Sequence, residues 1–217
     1  MELPQFDLST IRTNSNVLIT GLRQSGKTVL IHDIVYNLRE KFQFGVLMGS
    51  PGEHTYLPGC CSFKDLDTRI VDGIMERQMT DKPKHVLCVF DGLLKQFSTP
   101  AVREMLLNGM HRNIFSVHSN QYMEPMPGMV RWSFDYVFVT RQTLEESIEK
   151  IWKYFASYTM FPDLENFRKV LEEYTEGNRV LVLEPTKMKA YWYEPQLHPP
   201  FRVFENDLLW ALEKKTN

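Results

Sequence analysis

Short, almost wholly apolar runs alternate along this chain with longer stretches in which apolar residues return every three or four positions. Val17 to Thr20, Phe44 to Met48, Val86 to Phe90, Ile114 to Val117 and Tyr136 to Val139 read as strands. Lys27 to Lys41, Leu66 to Gln78, Pro100 to Met110, Thr143 to Tyr158 and Asp163 to Tyr174 read as helices. In the first helix Ile31, Ile34, Val35 and Leu38 share one face. Pro100 suits a first helical turn, and Thr143 with Glu146 has capping-box spacing. Val86 to Phe90 carries no polar position, which predicts a central strand covered on both faces. The alternation predicts an α/β fold, a mainly parallel sheet flanked by helices. Arg179 to Leu183 and Lys189 to Tyr193 predict a C-terminal β-hairpin, followed by a short helix over Glu205 to Lys214. His54 to Phe63 reads as irregular and Asn120 to Pro127 as a loop. No segment is rich enough in Pro, Gly or Ser to act as a linker, so a single domain over 1–217 is expected.

Composition narrows the class without naming a function. The chain has 217 residues, 43% hydrophobic and 24% charged, with net charge -2. That is ordinary for a globular protein, and any contact with nucleic acid must come from a local patch or from several subunits together. Three cysteines, Cys60, Cys61 and Cys88, form no disulfide framework and no metal-ligand spacing. Cys60 and Cys61 read as small apolar residues in preference to reactive thiols. His32, His85, His111 and His118 likewise offer no metal-ligand spacing. The first residues lack a basic start followed by an apolar run, and no stretch reaches membrane-span length, so an intracellular protein is expected.

The strongest chemical signal is Gly21-Leu22-Arg23-Gln24-Ser25-Gly26-Lys27-Thr28, a full match to G-x-x-x-x-G-K-[ST] between a strand and a helix. Glycines let the backbone turn its N–H groups toward phosphate oxygens, and the following helix N-terminus adds partial positive charge. Lys27 is expected to reach the β- and γ-phosphates of ATP, and the Thr28 hydroxyl to ligate Mg²⁺. The chain is therefore a P-loop NTPase by motif.

Such a loop works with a carboxylate at the end of an apolar strand that holds the Mg²⁺ shell. Asp91 closes His85-Val-Leu-Cys-Val-Phe-Asp91 and fits that role. Many ATPases carry a second acid directly afterward to polarise the attacking water; here the position is Gly92, which cannot do so. Glu53 and Glu124 are the acids that topology brings nearest. Either another acid serves, or the chain binds ATP and turns it over poorly.

Further along, Arg112-Asn113 precedes a strand that runs into Asn120-Gln121-Tyr122, and Arg131 precedes Asp135-Tyr-Val-Phe-Val139. Together with the loop and Asp91, this order resembles the FtsK–HerA superfamily. Within it the chain looks like the genome-packaging ATPases of large DNA viruses, poxvirus-type enzymes and their relatives in giant viruses, virophages and viral-like transposons. The resemblance spans roughly Asn16 to Leu183. It implies a homo-oligomeric ring, commonly hexameric, that drives double-stranded DNA into a preformed capsid. It implies that Gln121 is the polar sensor at the strand end, and that Arg112 is an arginine reaching a neighbour's γ-phosphate. Arg131 and Arg141 compete for that second role. Gly92 departs from the family pattern.

Lys187, Lys189, Tyr191, Trp192 and Tyr193 alternate basic and aromatic residues. The pattern fits a DNA-facing hairpin or, more simply, an edge hairpin with one face on the core. Two rival functions stand beside the motor: a nucleoside or nucleotide kinase, and a nucleotide-gated assembly protein with little hydrolysis. The kinase needs an arginine-rich lid, and no arginine cluster lies between Arg141 and Arg179.

Overall fold

A computed structural model describes residues 2–49, 57–156 and 160–202. Eight strands form one sheet: β1 (Asn16–Thr20), β2 (Phe44–Met48), β3 (Cys61–Phe63), β4 (Val86–Asp91), β5 (Ile114–Asn120), β6 (Tyr136–Val139), β7 (Val180–Glu184) and β8 (Lys189–Tyr193). Their order is β3-β2-β4-β5-β1-β6-β7-β8. The first six pair in parallel, while β7 and β8 run antiparallel as the C-terminal hairpin. Among the described residues six α-helices accompany the sheet: α1 (Lys27–Leu38), α2 (Thr68–Arg77), α3 (Pro100–Asn108), α4 (Gly128–Trp132), α5 (Glu145–Ile151) and α6 (Leu164–Tyr174).

Strand alternation splits the buried apolar residues into two clusters, one per face. Val17, Ile19, Leu87, Val89 and Val117 pack with Leu30, Ile31, Ile34 and Val35 of α1. Leu18, Cys88, Phe90 and Val137 pack with residues of α2, α3 and α6 on the other side. Val86 to Phe90 is buried throughout, as its unbroken apolar run predicts. Because β1 to β6 are parallel, their carboxyl ends share one edge, where ligands of open α/β sheets bind.

The structure departs from the sequence expectations in four places. The segment His54 to Phe63, read as irregular, ends in an edge strand, Cys61–Phe63, paired with β2; its residues 54–56 lie outside the described residues. The fourth expected strand does not stop at Val117 but runs to Asn120, all seven residues buried. Of its polar side chains Ser116, His118 and Asn120 are joined in a buried hydrogen-bonded chain, described below. The helix expected from Thr143 shortens to α5 and passes into a π-helical turn, Trp152–Ala156. The capping box does not form either. Gln142 Oε1 accepts from the N–H groups of Thr143 and Leu144, and Glu146 pairs with Lys150 instead. The expected helix over Glu205 to Lys214 lies outside the described residues, as do Tyr158 and Glu53.

The aromatic hairpin is an edge element. Tyr191 leans on one core cluster and Ala190 and Trp192 on the other. The chain start covers it: Phe6 N–H donates to Trp192 O and Trp192 N–H to Pro4 O, at 2.8 and 3.0 Å. Lys187 pairs with Glu184 at 2.6 Å. Cys60, Cys61 and Cys88 are buried, and burial raises all three thiols, Cys88 to about 12. They are apolar packing residues, not nucleophiles. Among the described residues no His, Cys, Asp and Glu group is placed to hold a metal by itself, and no helix is long and apolar enough to cross a membrane.

Candidate nucleotide site at the carboxyl edge of the sheet

The phosphate loop leaves β1 at this edge and is fastened to both neighbouring strands. Gly21 N–H donates to Asn120 O at the end of β5 (3.2 Å), and Leu22 N–H donates to Arg141 O just past β6 (2.9 Å). The Ser25 hydroxyl lies 2.6 Å from the Leu22 carbonyl and 2.6 Å from Thr140 Oγ1. The first glycine is forced by contact: a Cβ on Gly21 would lie 1.9 Å from Thr140 Oγ1. Gly26 is left-handed (φ +87°) and caps α1 without any side-chain hydrogen bond. The first N–H groups of α1 thus face outward, the arrangement that receives an anion.

Lys27 Nζ donates to the carbonyls of Gly21 (2.8 Å) and Leu22 (2.6 Å), so the ammonium lies across the loop mouth. Burial pulls it below the ordinary lysine range, and the Asp91 carboxylate partly offsets that. Asp91 is near enough for its charge to act on Lys27 although β5 separates β4 from β1. Two strand spacings, about 10 Å, lie between the two strands, a gap suited to a phosphate chain and a hydrated cation. Thr28 is exposed at the start of α1 and Asp91 half-buried. A hydroxyl, a carboxylate and open helix N–H groups on one edge fit Mg²⁺ with a triphosphate.

The chain turns sharply after Asp91. Gly92 is left-handed (φ +67°), and its N–H donates to Ser119 O at 2.9 Å. A Cβ there would meet nothing within 4 Å. The position is therefore shaped by backbone conformation, and a bulky acid would be strained in it. Gln121 follows β5 directly and is exposed; its carbonyl accepts from Gln142 Nε2 at 3.3 Å. Gln121, Gly92, Asn120 and Glu124 line one depression beside Asp91.

Arg112 does not join this group within the subunit. It precedes β5, at the opposite edge of the sheet, where Nη1 donates to Met75 O (3.1 Å) and Nη2 lies 3.8 Å from Glu104. Arg131 also lies at that far edge, its guanidinium over the Tyr154 ring at 4.4 Å. Of the three candidate arginines only Arg141 stands beside the loop, with its side chain exposed.

Two features escaped sequence reading. Thr140 locks the loop through Ser25; its only signal is that it directly follows the strand Tyr136–Val139. The second is a buried polar chain along β5. Asn16 Nδ2 donates to the carbonyls of Leu106 (2.7 Å) and Ser133 (2.9 Å), and Ser116 Oγ donates to Asn16 Oδ1 (2.6 Å). His118 lies between Ser116 Oγ (3.2 Å) and Gln96 Oε1 (2.8 Å), and Gln96 Nε2 donates to Asn120 Oδ1 (2.7 Å). His118 also stacks on Phe90 at 4.6 Å, and burial drives its pKa down to about 3. The chain ends at Asn120 Nδ2, a buried donor with no protein partner, next to the loop.

The structure is similar to the genome packaging NTPase B204 of Sulfolobus turreted icosahedral virus 2, solved in complex with AMPPCP, with a TM-score of 0.68. The match covers 86% of this chain and 100% of that one at 16% identity. This chain has the fold of a viral genome-packaging NTPase. The cytoplasmic domain of the type VII secretion ATPase EccC from Thermomonospora curvata shares it more distantly, with TM-score 0.57 and 12% identity over 86% of this chain and 26% of that one. In sequence, the chain is 24% identical to the uncharacterized protein L437 of Acanthamoeba polyphaga mimivirus, over 89% of this chain and 77% of that protein. No family model matches the chain.

Proposed function

We propose that this chain is an ATP-driven motor subunit that moves double-stranded viral DNA into a preformed capsid. One observation carries the reading: a complete phosphate loop is bonded to the ends of β5 and β6 with Asp91 one strand away, in a fold shared with a genome packaging NTPase over the whole of that protein. In this reading the N–H groups of the loop and α1 bind the triphosphate, and Lys27 leaves the Gly21 and Leu22 carbonyls for its β- and γ-oxygens. Thr28 and Asp91 hold Mg²⁺, which supplies charge neutralisation on the phosphates. Gln121, at the rim of the depression, senses the γ-phosphate end. Arg112 lies at the sheet end away from the phosphate loop and acts on a neighbour's nucleotide in a ring, with hexamers favoured. Arg141 is its rival, already at the phosphate edge. A capsid or portal-vertex protein is the further partner, and the working place is the cytoplasm or viral factory of an infected cell.

Purified protein with ATP and Mg²⁺ is expected to assemble into rings on duplex DNA, seen as one high-mass species by light scattering. DNA affinity is expected to fall steeply with salt, since phosphate contacts release counterions. Protein that stays monomeric and ignores duplex DNA at low salt, with nucleotide bound, refutes the motor.

A further inference from the structure

The geometry points to Glu124 as the acid that activates the attacking water, in place of the one missing at position 92. The inference rests on the ATPase reading above and names the base of that same site. A cavity of about 320 Å³ opens at the carboxyl edge, lined by Gly92, Asn120, Gln121 and Glu124 among others. A water molecule occupies about 30 Å³ in the liquid, so the space admits several. It begins one residue beyond Asp91, where a second acid would otherwise project, and the absent side chain at Gly92 leaves that room open. The carboxylate lining it comes from the loop after β5.

Three features fit Glu124 to the task. It is nine-tenths buried (9% exposed) and its position is fixed: both oxygens accept from the single Lys95 N–H, at 3.0 and 3.1 Å. One N–H shared between two oxygens leaves most of the carboxylate lone pairs free. Lys95 is itself left-handed (φ +57°), so the contact pins the loop after β4 to the loop after β5. Finally, Asn120, whose side-chain nitrogen is buried without a hydrogen-bond partner, borders the same cavity. A carboxylate with unspent lone pairs beside a space that admits water suits a group that must relieve that water of a proton.

The step balances as follows. The Glu124 carboxylate takes a proton from water while the water oxygen forms its bond to the γ-phosphorus. The bond from the γ-phosphorus to the β–γ bridging oxygen breaks, and its electron pair leaves on ADP. The proton then passes from Glu124 to the released phosphate, which restores the carboxylate.

Glu124→Gln separates this role from a structural one, because the amide oxygen still accepts from Lys95 N–H. Wild type, Glu124→Gln and Lys27→Ala are compared for nucleotide affinity with a fluorescent ATP analogue, for single-turnover hydrolysis with duplex DNA present, and for melting temperature. Glu124→Gln is expected to bind nucleotide within about threefold of wild type and melt alike, while turnover falls about 100-fold or more. Equal turnover in Glu124→Gln and wild type overturns the assignment. So does a wild type that binds ATP without cleaving it. If wild type and Lys27→Ala bind nucleotide equally, the ATPase reading itself fails and takes this one with it. If they differ and only the Glu124 effect is missing, the base alone is wrong.

Discussion

Replacing Gly21 by alanine tests whether the phosphate loop is held by its neighbours or merely adjacent to them. The new Cβ would lie 1.9 Å from Thr140 Oγ1, 3.0 Å from Thr140 O and 3.1 Å from Arg141 O. The hydroxyl can rotate away, but only by abandoning Ser25, whose Oγ it meets at 2.6 Å. The two carbonyls are backbone, and one accepts the Leu22 N–H, so the loop itself must shift. Overpacking of this kind costs about 1–3 kcal/mol, and the lost hydrogen bond adds about 1 kcal/mol. For a chain of this size each kcal/mol lowers the melting temperature by about 2–4 °C, so a fall of roughly 4–16 °C is expected. Gly26→Ala is the internal control: nothing lies within 4 Å of its Cβ, and only its left-handed φ of +87° is penalised. That strain is worth about 1–2 kcal/mol. Differential scanning fluorimetry on the two variants should therefore rank Gly21→Ala as the less stable. Equal losses, or a Gly21→Ala protein that melts with wild type, would show that the Thr140 contact yields freely and that the loop is not locked.

Other consequences follow from buried polar groups. Burial holds the His118 pKa down at about 3 against 6.5 for a free imidazole, so the unfolded chain binds the extra proton. Stability from this group is complete above pH 6.5 and lost as pH falls toward 3, at about 1.4 kcal/mol per pH unit. His118→Phe should lose stability at pH 7, because Ser116 and Gln96 forfeit a partner, yet show a shallower acid slope; urea melts at pH 7 and pH 5 measure both. Asp33 is fully buried in α1 and accepts from Tyr193 OH (2.6 Å), Gln196 N–H (2.9 Å) and His198 Nε2 (2.6 Å). Asp33→Ala should release the segment after β8, seen as faster hydrogen exchange at the Gln196 amide. Unchanged exchange there would mean that the aromatic stack of Tyr36 on His198, at 3.7 Å, holds the segment alone.

The sheet and the phosphate loop were legible because their signals are local. An apolar run such as Val86 to Phe90 has no soluble alternative to burial, and the loop's glycines and lysine sit at fixed spacing. The hairpin was legible for the same reason. What stayed hidden depended on partners distant in sequence. His118 fell past the expected end of the strand at Val117 and Asn120 opened the expected loop, since nothing local shows that Ser116 and Gln96 would satisfy them. Thr140 gave no sign that it touches Ser25. The three-residue β3 exists through pairing with β2, not through its own pattern. Gly92 invited a purely chemical reading, the loss of an acid, whereas the structure adds a conformational one: the turn after Asp91 is left-handed. Arg112 was matched by order along the chain, and order does not reveal that it leads into β5 at the edge away from the loop.

Steady-state ATP hydrolysis with and without long duplex DNA, in wild type and Lys27→Ala side by side, decides whether this site cleaves ATP in the service of DNA movement. Wild type is expected to show Mg²⁺-dependent turnover that duplex DNA stimulates several-fold, and Lys27→Ala none above background. Hydrolysis indifferent to duplex DNA, or equal in the two proteins, would contradict that expectation.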